Sequence, residues 1–140
     1  MRKIIGVGLA AALAAAVFAV PASAQTTTRF SVLSVGVEAH QVASNVTVFH
    51  DRLVEPGERS EVLGSDKGRC RVLGRTHAHC RIVFFLAAGK IKVNGNIDFN
   101  RRLIKIPVVG GTRAYDGVAG KAIIHNAGNR NALVDFVLVK

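Results

Sequence analysis

Beyond its first two dozen residues this chain shows no helical period, and that feature constrains the fold most. From Phe30 onward the apolar residues come in short runs broken by Gly, Asn and charged residues. Such punctuation marks β-strands joined by tight turns. Strands are expected at Phe30–Val37, Asn45–Val54, Arg59–Leu63, Gly68–Leu73, His77–Ala87, Lys90–Asn94, Ile97–Val109, Val118–Asn126 and Asn131–Val139. Glu55-Pro56-Gly57-Glu58 suits a β-turn, Ala88-Gly89-Lys90 a tight hairpin and Gly128-Asn129 a loop with positive φ. Connections this short oblige consecutive strands to pair antiparallel.

Side chains alternate between the two faces of a strand. Cys80, Ile82, Phe84 and Leu86 therefore oppose Arg81, Val83 and Phe85, and Ile91 and Val93 oppose Lys92 and Asn94. Phe84-Phe85-Leu86 and Phe136-Val137-Leu138 are apolar on both faces. A strand buried on both sides belongs to a closed barrel with an apolar lumen or to a sheet covered by a partner subunit. Eight or nine short strands in one small domain fit an all-β, closed antiparallel barrel of about eight strands, with an open two-sheet sandwich as the alternative.

The N-terminus is of another kind. Arg2 and Lys3 precede an apolar run from Ile4 to Val20, followed by Pro21 and Ala22-Ser23-Ala24 before Gln25. This is the layout of a secretory signal peptide with an A-x-A cleavage site. The chain is expected to be cut between Ala24 and Gln25, leaving residues 25–140 as a single secreted or periplasmic domain. That domain holds 17 Lys and Arg against nine Asp and Glu, a net charge of +8. A surface so basic attracts anionic envelope polymers and lipids non-specifically. The cations are scattered, with one pair at Arg101-Arg102 and a spaced series Arg69, Arg71, Arg75, Arg81, so no specific nucleic-acid stripe is read. A chain of 140 residues excludes a multidomain enzyme, and no cofactor is expected.

Cys70 and Cys80 are the only cysteines and flank the turn around Gly74-Arg75 almost symmetrically. In an oxidising compartment a disulfide is expected; the alternative is a lumenal Cys70 thiol with a chemical role. His77 and His79 share one strand face, opposite Cys80, and two imidazoles fall short of the ligands zinc requires. No metal site is expected. In His50-Asp51-Arg52 the carboxylate faces away from both neighbours.

The richest stretch is Ile106-Pro107-Val108-Val109-Gly110-Gly111-Thr112-Arg113-Ala114-Tyr115-Asp116-Gly117-Val118-Ala119-Gly120. It lacks the lysine and the following helix of a phosphate loop. It resembles the G-G-T-G-x-Y/F signature that follows an I-P-V-V strand in the dirigent proteins and the allene oxide cyclase barrel superfamily. Phe49-His50-Asp51-Arg52-Leu53 resembles that group's F-x-D-x-L strand, Gly68-Arg69-Cys70 its G-x-C, and Gly89-Lys90-Ile91 through Gly95 its D-G-x-I-x-x-x-G hairpin, with Ala88 in place of the Asp. The likeness covers about residues 45 to 126, and bacterial exported members are nearest. Arg113 stands at a usual Gly, and Asp116 and Ala119 stand where dirigent proteins carry arginines. The cyclases' lumenal cysteine falls on Cys70, and their first-strand acid matches only Glu38.

The resemblance implies a barrel that binds a small hydrophobic molecule in its lumen and guides its cyclisation or coupling, an isomerase-like activity if there is one, and assembly into homo-oligomers. Candidate ligand contacts are Phe84, Phe99, Tyr115 and Phe136; candidate catalytic groups are Tyr115, as a hydrogen-bond donor, and the in-strand carboxylates Asp51 and Asp135. The competing expectation is a non-catalytic exported interaction module, its lumen filled by side chains and its basic exterior bound to an anionic surface.

Overall fold

A computed structural model describes residues 23–126 and 130–140. The apolar leader up to residue 22 and the Gly128-Asn129 loop lie outside the described residues. Eight strands follow one another: β1 (Thr27–Ala43), β2 (Val46–Glu55), β3 (Glu58–Val72), β4 (His77–Leu86), β5 (Gly89–Asp98), β6 (Leu103–Gly111), β7 (Ala119–His125) and β8 (Asn131–Val139). Each pairs antiparallel with the next, and β8 pairs with β1, so the sheet closes on itself. Closure satisfies every strand edge, which an open sandwich does not. The closed barrel expected from the sequence is the observed fold.

Two strand divisions are corrected. The expected strands Arg59–Leu63 and Gly68–Leu73 are one strand, β3, because Ser65, Asp66 and Lys67 continue its pairing with β2 and β4. Their polarity looks like a break, yet Asp66 points inward in step with Gly68 and Cys70. Similarly, Asn94-Gly95-Asn96 is part of β5, and the chain turns at residues 99–102. Gly95 is a packing glycine: a Cβ there would meet Pro107 Cδ at 2.9 Å and Ile106 Cγ1 at 3.2 Å on β6.

One half of the lumen is solid. Phe84 meets Phe136 edge-on at 4.9 Å, Phe136 stacks on Phe30 at 4.9 Å, and Phe30 stacks on Tyr115 at 6.2 Å. Both members of the first pair are about 1% exposed. Tyr115 belongs to a short 3-10 helix, Arg113–Tyr115, which caps this end of the barrel. Its neighbour Ala114 donates an amide hydrogen bond to Ala88 O, tying the cap to the β4–β5 turn. Arg113 has φ 57°. An L side chain is strained there. Arg113→Gly is therefore predicted to raise the unfolding free energy by about 0.5 kcal/mol, the relieved strain less the entropy cost of glycine, as measured by urea denaturation.

At the opposite end the β1–β2, β3–β4 and β5–β6 connections cluster with the end of β7. Val72 N–H donates to Asn45 O, Phe99 N–H to Thr76 O, and Asn126 N–H to Arg102 O, each at 2.7 or 2.8 Å. This end is open.

Cys70 and Cys80 face each other across β3 and β4, their Cα atoms 4.1 Å apart, and form the expected disulfide. Because it closes a short loop, the Cys70→Ser/Cys80→Ser variant is predicted to lose about 3 kcal/mol of stability and on the order of 10 °C in Tm in a thermal melt. An unchanged melting temperature would make the bond dispensable.

Candidate functional site

Behind the open end lies a cavity of about 650 Å³. Phe84 forms its floor, the top of the aromatic stack. Ile82, Ile97, Val134 and Phe49 line its walls together with both half-cystines. Phe49 can lie flat over β3 because its register partner is Gly68, where a Cβ would collide with the ring. The sequence thus uses a cross-strand Phe–Gly pair to fold a large ring into a narrow lumen.

Besides Thr47 and the rim residues Glu38 and Arg130, three polar side chains in mutual contact project into this space. Ser34, on β1, and Asp51 and Asp66, partners across β2 and β3, converge because all three occupy inward positions at one level of the barrel. Ser34 Oγ is 3.1 Å from Asp51 Oδ2 and 3.1 Å from Asp66 Oδ2. Among the described residues Ser34 and Asp66 are the only buried polar side chains, 6% and 2% exposed. Asp66 Oδ1 has no partner at all.

This geometry carries a proton count. A hydroxyl owns one hydrogen, so Ser34 can donate to only one of the two carboxyl oxygens. The other contact needs a protonated carboxyl as its donor. Electrostatics agrees: burial, reinforced by the adjacent Asp51 charge, pushes Asp66 up to about 7 despite the stabilising Ser34 bond. The cluster is a buried carboxylic acid held beside a second carboxyl in an apolar cavity.

The candidates read from the sequence scatter. Asp51 and Phe84 line the cavity. Phe99 also touches it, but at the mouth and 45% exposed, so it does not fill the lumen. Phe136 lies beneath Phe84, outside the cavity wall. Tyr115 lies at the far, capped end, where burial raises its phenol pKa, so it cannot reach a molecule in the cavity. Asp135 is on the outer surface of β8. There Ser31 Oγ donates to it, and His125 Nε2 lies 2.7 Å from its second oxygen. The Ser31 bond holds that carboxyl below its ordinary range. Glu38 lines the rim and sits 3.6 Å from the His40 ring rather than within the buried cluster.

Asp66 and Ser34 are absent from the sequence candidates. The signal for Asp66 was its spacing: with Gly68 and Cys70 it forms an i, i+2, i+4 series on the face of the disulfide. Splitting β3 at that point hid it.

No protein-family model and no curated protein matches the chain. Solved structures do. The barrel is similar to a pyocyanin demethylase at TM-score 0.67 and 15% identity, over 81% of this chain and 100% of that one. It is similar to an exo-specific intermolecular Diels-Alderase at TM-score 0.70 and 18% identity, over 84% and 99% of the two chains. It is also similar to a pterocarpan synthase dirigent protein at TM-score 0.68 and 14% identity, over 82% and 87%. At such identities the likeness is one of architecture, and one architecture hosts many chemistries. The chain shares a closed eight-stranded barrel fold with these structures, a dirigent protein among them.

Proposed function

We propose that this protein is an exported barrel that takes a small hydrophobic molecule into its open-ended cavity and guides its cyclisation or coupling. The observation that supports this is the Ser34–Asp51–Asp66 cluster, two carboxyls bridged by a hydroxyl and facing a cavity walled by apolar side chains. An acid raised to about 7 has a chemical use, since near neutral pH it keeps a protonated fraction that can give a proton to a carbonyl or alkene as a ring bond forms. Asp51 stands beside it to accept the proton released elsewhere on the same molecule. The step is redox-neutral and keeps the number of protons on the pair, and Ser34, 3.1 Å from both carboxyls, relays the proton from Asp51 back to Asp66 to restore the starting state. Phe84 and the aliphatic walls exclude water, which strengthens the hydrogen bond to the reacting oxygen. The Diels-Alderase and pterocarpan synthase among the structural neighbours favour ring formation over other chemistries.

The interaction-module alternative expected a lumen filled by its own side chains; only the capped half is filled, and the other half holds the cavity.

Titration of the oxidised protein with the neutral fluorophore N-phenyl-1-naphthylamine is expected to give saturable micromolar binding. Ala132→Phe, which places a ring in the cavity wall, should abolish it without unfolding the barrel. Absence of binding by the native protein would sink the reading. Native mass spectrometry of protein exported by its own host tests the rest, since one intact mass reports cleavage after Ala24, the disulfide and any retained molecule.

A further inference from the structure

We infer that the open end of the barrel is a docking face for an anionic lipid bilayer, on which the protein sits mouth down. The inference deepens the cavity reading by naming the phase from which a hydrophobic ligand arrives; the docking itself does not depend on that ligand.

Exposed apolar side chains carry the argument first. Among the described residues the large exposed hydrophobics are Val37, Val42, Val62, Val72, Leu73, Phe99, Leu103 and Val109. Val42, Val72, Leu73, Phe99 and Leu103 lie on or beside the three connections at the mouth, and Val37 follows Gly36, whose amide donates to Arg130 O. Leu73 is 56% exposed and Phe99 45%. Side chains of this kind at adjacent loop tips form a rim that water solvates poorly and an interfacial layer accepts.

Charge carries it second. Arg71, Arg75, Arg101, Arg102 and Arg130 are all exposed at the same end. The carboxylates there are Glu38 and Asp98, and Asp98 is engaged with Arg101 and His77, each at 3.8 Å. At the capped end the charges balance, with Glu55, Glu58, Glu61 and Asp116 set against Arg59, Lys90, Arg113 and Lys140, so the excess of cations lies at the mouth. A barrel polarised along its axis approaches a negative surface cationic end first.

The two observations together choose the partner. A hydrated anionic polymer would satisfy the arginines but offers no apolar phase to Leu73 and Phe99, whereas a bilayer offers both. The barrel does not span: Arg69, Arg81, Lys92, Lys105 and Lys121 stud its outer wall, exposed, and would have to enter hydrocarbon.

Co-sedimentation with vesicles of equal parts phosphatidylcholine and phosphatidylglycerol, at 0.1 M salt, tests this. The native protein should pellet with these vesicles and not with pure phosphatidylcholine. Leu73→Ser should weaken binding about fivefold, and Arg75→Gln/Arg102→Gln about 20-fold, at roughly fivefold for each arginine. The side-wall controls Val109→Ser and Lys92→Gln/Lys121→Gln should change it less than threefold. Equal loss in the controls would show attraction by net charge alone and overturn the proposal. So would tight binding to polygalacturonate that matches the vesicles and ignores Leu73→Ser, or no pelleting at all. Leu73, Arg75 and Arg102 do not line the cavity, so naphthylamine binding should survive in these variants; its absence from the native protein would count against the cavity reading and leave the docking result standing.

Discussion

At pH 8 the Asp66→Asn variant is expected to be more stable than the native protein by up to about 4 kcal/mol, and at pH 4 the two should be nearly equal. The sign follows from the direction of the shift. Asp66 binds its proton more tightly folded than unfolded, moving from 3.8 to about 7. Its contribution is therefore fully present below the unfolded value and is lost as pH rises through the folded one. At about 1.4 kcal/mol for each tenfold change in proton affinity, the interval is worth about 4 kcal/mol. An amide has the same shape, cannot ionise and can still donate to Asp51. Urea unfolding across pH 4 to 8 should show native stability falling up to pH 7 and a flat profile for the variant. A native profile that is flat over that window would mean Asp66 is not the buried acid. Asp135 does not confuse the measurement. Its carboxyl is held below the ordinary range, so its contribution is lost only as pH falls below about 4. The same variant separates binding from chemistry: it should keep naphthylamine binding and lose any proton transfer to a bound substrate.

Phe136→Ala should be the most destabilising single substitution tested here, costing about 3–5 kcal/mol and on the order of 15 °C in Tm. The ring touches both Phe84 and Phe30, at 4.9 Å each, so its loss removes the middle of the stack that makes one half of the barrel solid. The neighbours are held in strands on every side and can close only part of the gap. Phe136→Leu should recover most of the loss. Because Phe84 would lose its support, the cavity floor should sink, and Phe136→Ala should take a longer apolar fluorophore than the native protein does. A cost below 1 kcal/mol would show that the capped half is not the main source of stability.

Much of this architecture is legible in single residues. The alternation around Ile82 and Phe84, the pairing of Cys70 with Cys80, and the facing of Asp51 away from His50 and Arg52 all follow from a period of two and short turns. Other residues misled for definable reasons. Gly95 resembles a turn residue but makes room for Pro107. Asp66 resembles the end of a strand but is its buried centre. Tyr115, the most chemically suggestive aromatic, caps the wrong end.

What the sequence determined by itself is which side chains share a face of a strand, because alternation is a property of neighbouring residues. What only the tertiary structure decided is the height of each inward side chain along the barrel axis. Height depends on the accumulated stagger of all eight strands around the closed sheet, including the register shifts between β1 and β2, β2 and β3, and β5 and β6. That stagger brings Ser34, Asp51 and Asp66 to one level beneath the mouth. It sends Tyr115 and Phe136 to the packed end, and it leaves the space between them and the open rim as the cavity.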